Sequence, residues 1–279
     1  MKLFSVEGNR QHLDGGAMFG NAPKEMWQQR ISPDARNRIP LACRAFVLQT
    51  DDGRTILFET GIGTFFEPKM KERYGVDQNE PMLLKNLDKL GIKEEDIDVV
   101  VLSHLHFDHA GGLLSSYGEP LRLLFPKALY LVGKQHWDRA KNPHIREKAS
   151  FISQLPQLLE QSQRLFLVEE GLTHPLVNDG VAFVFSHGHT IGLMLSEINL
   201  NGELYVFVSD LIPGMAWIHL PLAMGYDRFP ELIVDEKKRF YESWLSRSGK
   251  LLFTHDPDEV CAKLIKKNEE KYQVEACKL

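Results

Sequence analysis

Three histidines and one aspartate lie within six consecutive positions of this sequence, His104-Leu105-His106-Phe107-Asp108-His109. Neutral imidazole and carboxylate are ligands that suit Zn²⁺ and neighbouring divalent metals. In an extended chain His104 and His106 point the same way, because side chains alternate with a period of two. Burying these groups without partners would cost roughly 1–3 kcal/mol for each. The cluster therefore predicts a metal site rather than ordinary core or surface histidines.

Three later segments also end an apolar run with a histidine or an aspartate. They are 183–190, which contains His187 and His189, then 205–210, which ends at Asp210, and 251–256, which contains His255. An active metal site keeps an open position and often holds a second ion. We therefore expect further ligands to come from these predicted strand ends.

The elements that must position these residues alternate between strands and helices. Predicted strands cover 43–49, 55–59, 97–102, 128–132 and 251–253, with a strand-rich block at 181–210 whose Asn201-Gly202 pair indicates a hairpin. Helices are predicted at 80–90, 134–140, 151–163 and 230–246, and a charged helix over the last 20 residues. The first 40 residues look irregular. After the histidine cluster, the Gly111-Gly112 pair lets the backbone turn. The alternation favours layered α/β packing around a mixed sheet.

Composition limits the classes of protein that fit. The chain has 279 residues and a net charge of −5, from 33 basic and 38 acidic side chains, which makes nucleic acid a poor partner. No apolar run approaches the roughly 18–20 residues of a membrane span, and no secretory signal is visible. The scattered Cys43, Cys261 and Cys277 indicate reduced thiols rather than a disulfide framework. We expect one cytoplasmic domain, 1–279, in which residues 1–40 are an extension near the site or at an oligomer interface.

The ordered motifs resemble the metallo-β-lactamase superfamily of metallohydrolases. HLHFDHAGG, the later GHT-x-G, the isolated SD and the final THD occur in the family's order. The resemblance implies an αββα sandwich, two mixed sheets between helices. It also implies that one metal is held by His104, His106 and His189, a second by Asp108, His109 and His255, and that Asp210 bridges them.

The resemblance also bears on Glu59, which is not one of the expected ligands. The family commonly has Asp where this chain has Glu59, a carboxylate that orients a ligand histidine. We expect Glu59 to serve that role despite its extra methylene. His12, His136, His144 and His174 match no motif position and are expected at the surface.

Two divalent ions roughly 3.5–4 Å apart make hydroxide available at neutral pH, so metal-assisted hydrolysis is the expected reaction. A hydroxide bridging the metals would attack a carbonyl or phosphoryl centre of a small molecule, and Asp108 could carry the proton to the leaving group. We expect Zn²⁺, with Mn, Co and Fe as alternatives. A homodimer is left open.

The substrate expectation rests on similarity to the N-acyl-homoserine lactonase and organophosphate hydrolase branch. Segments 14–24 and 210–231 carry large apolar residues that could line a pocket, and the residues expected there are Met18, Phe19, Phe107, Trp217 and Tyr226. The main expectation is an acyl-lactone hydrolase of the quorum-quenching type. Alternatives are a phosphotriester or aryl ester hydrolase, a thioesterase of the glyoxalase II kind, and a di-iron oxidoreductase on the same scaffold. A thioesterase would need a basic cluster, which is not visible near the motifs.

Overall fold

The computed structural model describes residues 1–177, 180–269 and 271–279. The strands in chain order are β1 (Lys2–Val6), β2 (Gln11–Asp14), β3 (Arg38–Leu41), β4 (Ala45–Gln49), β5 (Thr55–Phe58), β6 (Val99–Leu102), β7 (Leu129–Gly133), β8 (Leu165–Val168), β9 (Val181–Ser186), β10 (Leu193–Leu200), β11 (Glu203–Phe207), β12 (Lys250–Leu252), β13 (Cys261–Lys266) and β14 (Tyr272–Ala276). The helices are α1 (Gly15–Phe19), α2 (Lys24–Trp27), α3 (Pro68–Arg73), α4 (Met82–Lys89), α5 (Phe107–Ala110), α6 (Lys134–Lys141), α7 (Leu155–Gln161) and α8 (Pro230–Ser246).

Two mixed six-stranded sheets form the centre of the molecule. The first has the order β1-β4-β5-β6-β7-β8 and the second β14-β13-β12-β11-β10-β9. In the first sheet β5 through β8 run parallel, and in the second β11 and β12 are the parallel pair. The predicted hairpin at Asn201-Gly202 is confirmed, because β10 pairs antiparallel with β11. The two predicted strands at 43–49 and 55–59 also form an antiparallel pair, β4 with β5.

Each sheet is buried on both faces, which explains the uninterrupted apolar runs. In β6, Val99 and Val101 face the core between the sheets, whereas Val100 and Leu102 face a second core beneath α4, α6 and α7. Helix α8 covers the outer face of the second sheet through residues such as Trp244. The predicted αββα sandwich is therefore confirmed.

Both ends of the chain differ from the sequence expectation. Residues 1–40 contain β1, an edge strand of the first sheet, together with β2, α1, α2 and β3. The last 20 residues form β13 and β14, not a charged helix. The exposed Lys263 and Glu275 lie opposite each other on these strands. Charges on such an edge discourage pairing with other chains, but in the sequence they resemble a polar helix face.

The predicted helix at 151–163 is shorter than expected, since α7 covers only Leu155–Gln161. Across the described parts of the chain, no helix is both long and apolar enough to cross a bilayer.

Candidate metal centre

Four strands end at one edge of the sandwich, and their following turns bring seven side chains together. His104 and His106 follow β6, α5 supplies Asp108 and His109, and the turns after β9, β11 and β12 supply the remaining three. The first group, whose ligand atoms all lie within 4.8 Å of one another, contains His104, His106, His189 and Asp210. The second contains Asp108, His109 and His255, under the same distance limit.

Asp210 connects the two groups. Its Oδ2 lies 3.2 Å from His189 Nε2 and its Oδ1 lies 3.2 Å from His255 Nε2. His109 Nε2 is 3.4 Å from the same Oδ2. A carboxylate in this position lies between the two groups and would contribute to both.

The outward ring nitrogen of each of the five histidines lies within 3.2 Å of a neighbouring polar atom; four of these contacts are hydrogen bonds, and His109 Nδ1 with Glu59 Oε2 is a close contact without hydrogen-bond geometry. The pairs are His104 Nδ1 with Ser103 Oγ (2.9 Å), His106 Nε2 with Glu147 Oε1 (3.1 Å), His109 Nδ1 with Glu59 Oε2 (3.2 Å), His189 Nδ1 with Asp227 Oδ1 (2.8 Å) and His255 Nδ1 with the Ala42 carbonyl (2.6 Å). Protons on these outward nitrogens leave lone pairs on the inward ones. Such partners are what metal-ligating histidines generally have.

The inward nitrogens then face one another at distances that favour positive charge between them. His255 Nε2 lies 3.1 Å from His109 Nε2, and His189 Nε2 lies 3.3 Å from His106 Nδ1. His104 Nε2 and Asp210 Oδ1 are buried without a hydrogen-bond partner. Opposed lone pairs beside a buried carboxylate are unfavourable unless positive charge lies between them. These residues therefore fit divalent metal ions.

The pKa shifts of the protein's own side chains also favour cations at this site. Burial opposes ionisation of Asp210, yet the imidazoles of His109, His255 and His189 hold the pKa of its carboxyl well below the usual value. Burial would lower the pKa of His255, but the Asp210 carboxylate raises it well above the usual value. A group of buried side chains that so strongly favours added positive charge is suited to cations.

Glu59 occupies an unusual backbone position next to the site. Its φ is +65°, which costs a non-glycine residue about 1–3 kcal/mol. The fully buried side chain reaches His109 with one oxygen and accepts a hydrogen bond from the Ser103 amide with the other, at 2.8 Å. This left-handed backbone conformation directs the longer side chain away from the main chain at a different angle from that of an extended backbone.

Gly112 is required for close packing and not for a sharp turn. A Cβ there would lie 2.0 Å from the Thr60 carbonyl oxygen, and its φ is not in the left-handed region. The glycine thus allows the turn after the histidine cluster to rest directly on the turn that carries Glu59.

Four supporting residues escaped the sequence analysis. Glu147 is buried between His106 and Arg139, whose Nε lies 2.6 Å from it. Asp227 accepts a hydrogen bond from the Met224 amide (2.7 Å) and also contacts His189. Gln11 Nε2 donates to Asp108 Oδ2 (2.6 Å). They lie in loops or a short strand that match no motif, so only their spatial position identifies them.

His136 is the fourth of these residues, and the expectation that it lies at the surface is wrong. It is fully buried, accepts the Leu105 amide on Nε2 (2.8 Å) and lies 3.1 Å from the Ile191 carbonyl through Nδ1. Burial, together with repulsion from nearby His106, lowers the pKa of its imidazole to about 3. The neutral ring therefore joins the turn after β6 to the turn after β9.

A cavity of about 540 Å³ opens onto the two groups. Met18, Phe107 and Tyr226 line it, as predicted, beside His106, Asp108, His189, Asp210 and His255. Phe19 and Trp217 do not line it. Their rings stack 4.8 Å apart in the core, and Trp217 Nε1 donates to the Met18 carbonyl, so they support the wall from behind.

Comparisons with known proteins agree with this architecture. The sequence profile of the Metallo-beta-lactamase superfamily matches residues 38–116. An N-acyl homoserine lactonase from Bacillus sp is 31% identical over an alignment that covers 92% of this chain and 94% of the relative. A probable metal-dependent hydrolase from Staphylococcus aureus superposes with a TM-score of 0.87 at 27% identity, covering 100% of this chain and 98% of the other. A dizinc quorum-quenching lactonase shares the fold, with a TM-score of 0.77 and 21% identity over 99% of this chain and 94% of its own.

Proposed function

The chain belongs to the metallo-β-lactamase superfamily, in its lactonase branch, and is a hydrolase; we propose that it uses two divalent cations to open small acyl lactones. One observation carries the proposal: Asp210 joins two groups of buried ligand atoms at the floor of a cavity large enough for a small molecule. His104, His106 and His189 would hold one cation, Asp108, His109 and His255 the other, and Asp210 would lie between them. Glu59 would orient His109.

When bound, the cations would polarise the scissile carbonyl and lower the pKa of water, so that hydroxide attacks at neutral pH. The protein's own groups position the substrate and move the proton. Tyr226 lines the cavity with 42% of its surface exposed, and its partial burial raises the pKa of the phenol to about 12. The hydroxyl therefore stays protonated and can donate to the carbonyl oxygen. It would replace the tyrosine that some lactonases carry three residues after the bridging aspartate, where this chain has Pro213.

Asp108 is the group best placed to carry a proton. It is the least buried of the seven side chains and lines the cavity. Gln11 holds one of its oxygens, and His255 Nε2 lies 3.6 Å from that oxygen. We propose that Asp108 accepts the proton released by the attacking water and delivers it to the leaving alkoxide.

The apolar part of the cavity wall suits an acyl chain. Met18, Leu41, Phe107 and Met224 line one cavity with the ligand groups. Flexible methionines adapt to ligands of varied shape, which is consistent with a range of acyl substituents. Zinc as the resident metal, a cytoplasmic location and a homodimer stay predictions.

The test is hydrolysis of an activated lactone by His106→Ala and Asp210→Asn variants, with metal content measured in parallel. Both variants should stay folded by circular dichroism and lose hydrolysis, and the wild type should lose it with a chelator and regain it with metal. His219→Ala is the matched control, because His219 is exposed and does not line the cavity. Near wild-type turnover in either variant would refute the assignment. A panel of acyl lactones, aryl esters, thioesters and phosphotriesters then ranks the substrate classes.

A further inference from the structure

We propose that the preferred substrate carries an anionic group, a carboxylate or a phosphate, which Arg73 and Arg146 bind at the mouth of the cavity. The inference rests on the proposed function and specifies its substrate. The reacting carbonyl would lie over the metal ligands, and the anionic group would lie at the exposed part of the same cavity's lining, which includes both arginines.

The charged side chains that line the cavity outside the candidate ligands are not balanced. Excluding the titratable His12, they are Asp14, Arg38, Arg73, Arg146 and Glu147. Arg38 is paired with Asp34 at 2.8 Å, and Glu147 with Arg139 at 2.6 Å. Asp14 caps α1, accepting the Ala17 amide, and also accepts the Asn37 side chain.

Arg73 and Arg146 remain without a carboxylate partner among the residues that the structure describes. Both side chains belong to exposed residues at the cavity mouth. This local excess of positive charge occurs in a chain whose net charge is −5, so it is not a consequence of overall composition.

Arg73 is attached to the aromatic wall of the cavity. It ends α3, and its guanidinium carbon lies 5.9 Å from the centre of the Tyr74 ring. The Tyr74 ring in turn lies 4.3 Å from that of Phe107, which immediately follows His106. The aromatic contact restrains the guanidinium without using a carboxylate, and its donors are left for a ligand.

Arg146 is held on the other side of the cavity. Its Nη2 donates to the Gly225 carbonyl at 3.1 Å, next to Tyr226. A guanidinium has five N–H donors, so this single bond leaves several for an anion. The bond also ties the guanidinium to the residue that precedes Tyr226.

A second observation supports excess positive charge at this side. Glu147 forms ion pairs with two guanidiniums, those of Arg139 and of Arg228, whose Nε lies 3.9 Å away. Its single negative charge therefore leaves no charge to balance Arg146. Arg228 Nε and Nη1 are buried without a hydrogen-bond partner. Burial lowers the pKa of Arg228, and repulsion from Arg146 and Arg139 lowers it further. An anion bound at Arg146 would offset this unbalanced charge.

Guanidinium forks match carboxylate and phosphate groups through two parallel hydrogen bonds, and they retain their charge at any physiological pH. A neutral acyl chain gains nothing from such groups at the cavity mouth. Residues 38, 73 and 146 are far apart in the sequence, which is why no basic cluster was visible near the motifs.

The experiment compares two N-acyl homoserine lactones of equal chain length, one ending in a methyl group and one in a carboxylate, with the metal-loaded enzyme. We expect kcat/KM to favour the carboxylate by about tenfold or more at low salt, and less at high salt. Arg73→Gln and Arg146→Gln should each lower the ratio of kcat/KM for the charged lactone to kcat/KM for the neutral lactone by about tenfold. Arg36→Gln is the matched control, because Arg36 is exposed and does not line the cavity.

The inference is overturned if the wild type prefers the neutral lactone, or if the arginine variants change both substrates equally. Calorimetry with adipate and hexanoate separates it from the proposed function, since binding needs no turnover. The wild type should bind adipate more tightly than hexanoate, and the Arg73→Gln/Arg146→Gln double variant should lose that difference. Selective adipate binding without lactone hydrolysis would refute the proposed function alone. Hydrolysis without selective binding would refute the inference alone.

Discussion

Asp227 is predicted to set the protonation of His189, so Asp227→Asn should weaken metal binding while the protein stays folded. Asp227 Oδ1 lies 2.8 Å from His189 Nδ1, and Oδ2 accepts the Met224 amide at 2.7 Å. Both oxygens of this buried carboxylate therefore accept from donors, and Nδ1 carries the proton.

An asparagine cannot satisfy both donors. With its oxygen toward His189, its amino group faces the Met224 N–H, and two donors oppose each other. In the flipped orientation the amino group donates to Nδ1, which moves the imidazole proton to Nε2, the nitrogen that faces Asp210. A protonated Nε2 cannot bind a metal.

The expected loss follows from the bond that is removed. A hydrogen bond to a charged group contributes about 1.5–3 kcal/mol, which corresponds to a roughly 10–100-fold fall in metal affinity. Competition with a chromogenic chelator measures the affinity, and thermal unfolding of the metal-free protein measures the fold. Asp235→Asn on the exposed face of α8 makes the same chemical change away from the site and should have no effect. Metal affinity within twofold of wild type in Asp227→Asn would refute the role assigned to the carboxylate.

Three further predictions concern packing, pH and thiols. Gly112→Ala should destabilise the fold by about 1–3 kcal/mol in urea, because the new Cβ meets the Thr60 carbonyl; unchanged stability would contradict that close approach. Burial lowers the pKa of Lys237 to about 8 in the folded protein, whereas in the unfolded chain it is about 10.5. The free energy of unfolding should therefore rise by up to about 3 kcal/mol from pH 8 to 10.5, because only the unfolded chain keeps the proton there. Lys237→Met should lose this rise in urea unfolding, and an equal rise in both proteins would show that another group causes it. Cys261 Sγ lies 2.6 Å from Cys277 Sγ, so the oxidant diamide should join these two thiols and leave the buried Cys43 reduced. Mass spectrometry that finds all three thiols still free would contradict this.

The fold was largely readable because its strands carry strong local signals. The run at 99–102 is apolar throughout, and a strand buried on both faces requires that pattern. The Asn201-Gly202 pair supplies the positive φ values that a tight hairpin needs. The C-terminal strands were misread because their charged residues serve an exposed edge, where no apolar periodicity is imposed.

The ligand positions were accessible because they follow predicted strand ends, whereas their supports were not. Glu147 and Asp227 act through distances that exist only after the loops fold, since the chain from His106 to Glu147 spans α5, β7 and α6. The same holds for Phe19 and Trp217, whose apolar character is equally consistent with a pocket wall and with the core behind it. Hydrophobicity alone does not distinguish these two locations.

The division of the candidate ligands between the two sheets has a consequence for biosynthesis. His109 completes the set contributed by the first half, and 146 residues separate it from His255. At roughly 5–20 residues per second, a ribosome needs about 7–30 s to add them. During that interval the nascent chain carries a partial set of imidazoles that Cu²⁺ would bind more tightly than Zn²⁺. If the proposed site holds two cations other than copper, their loading has to await translation past His255, or depend on a cell that keeps free copper scarce.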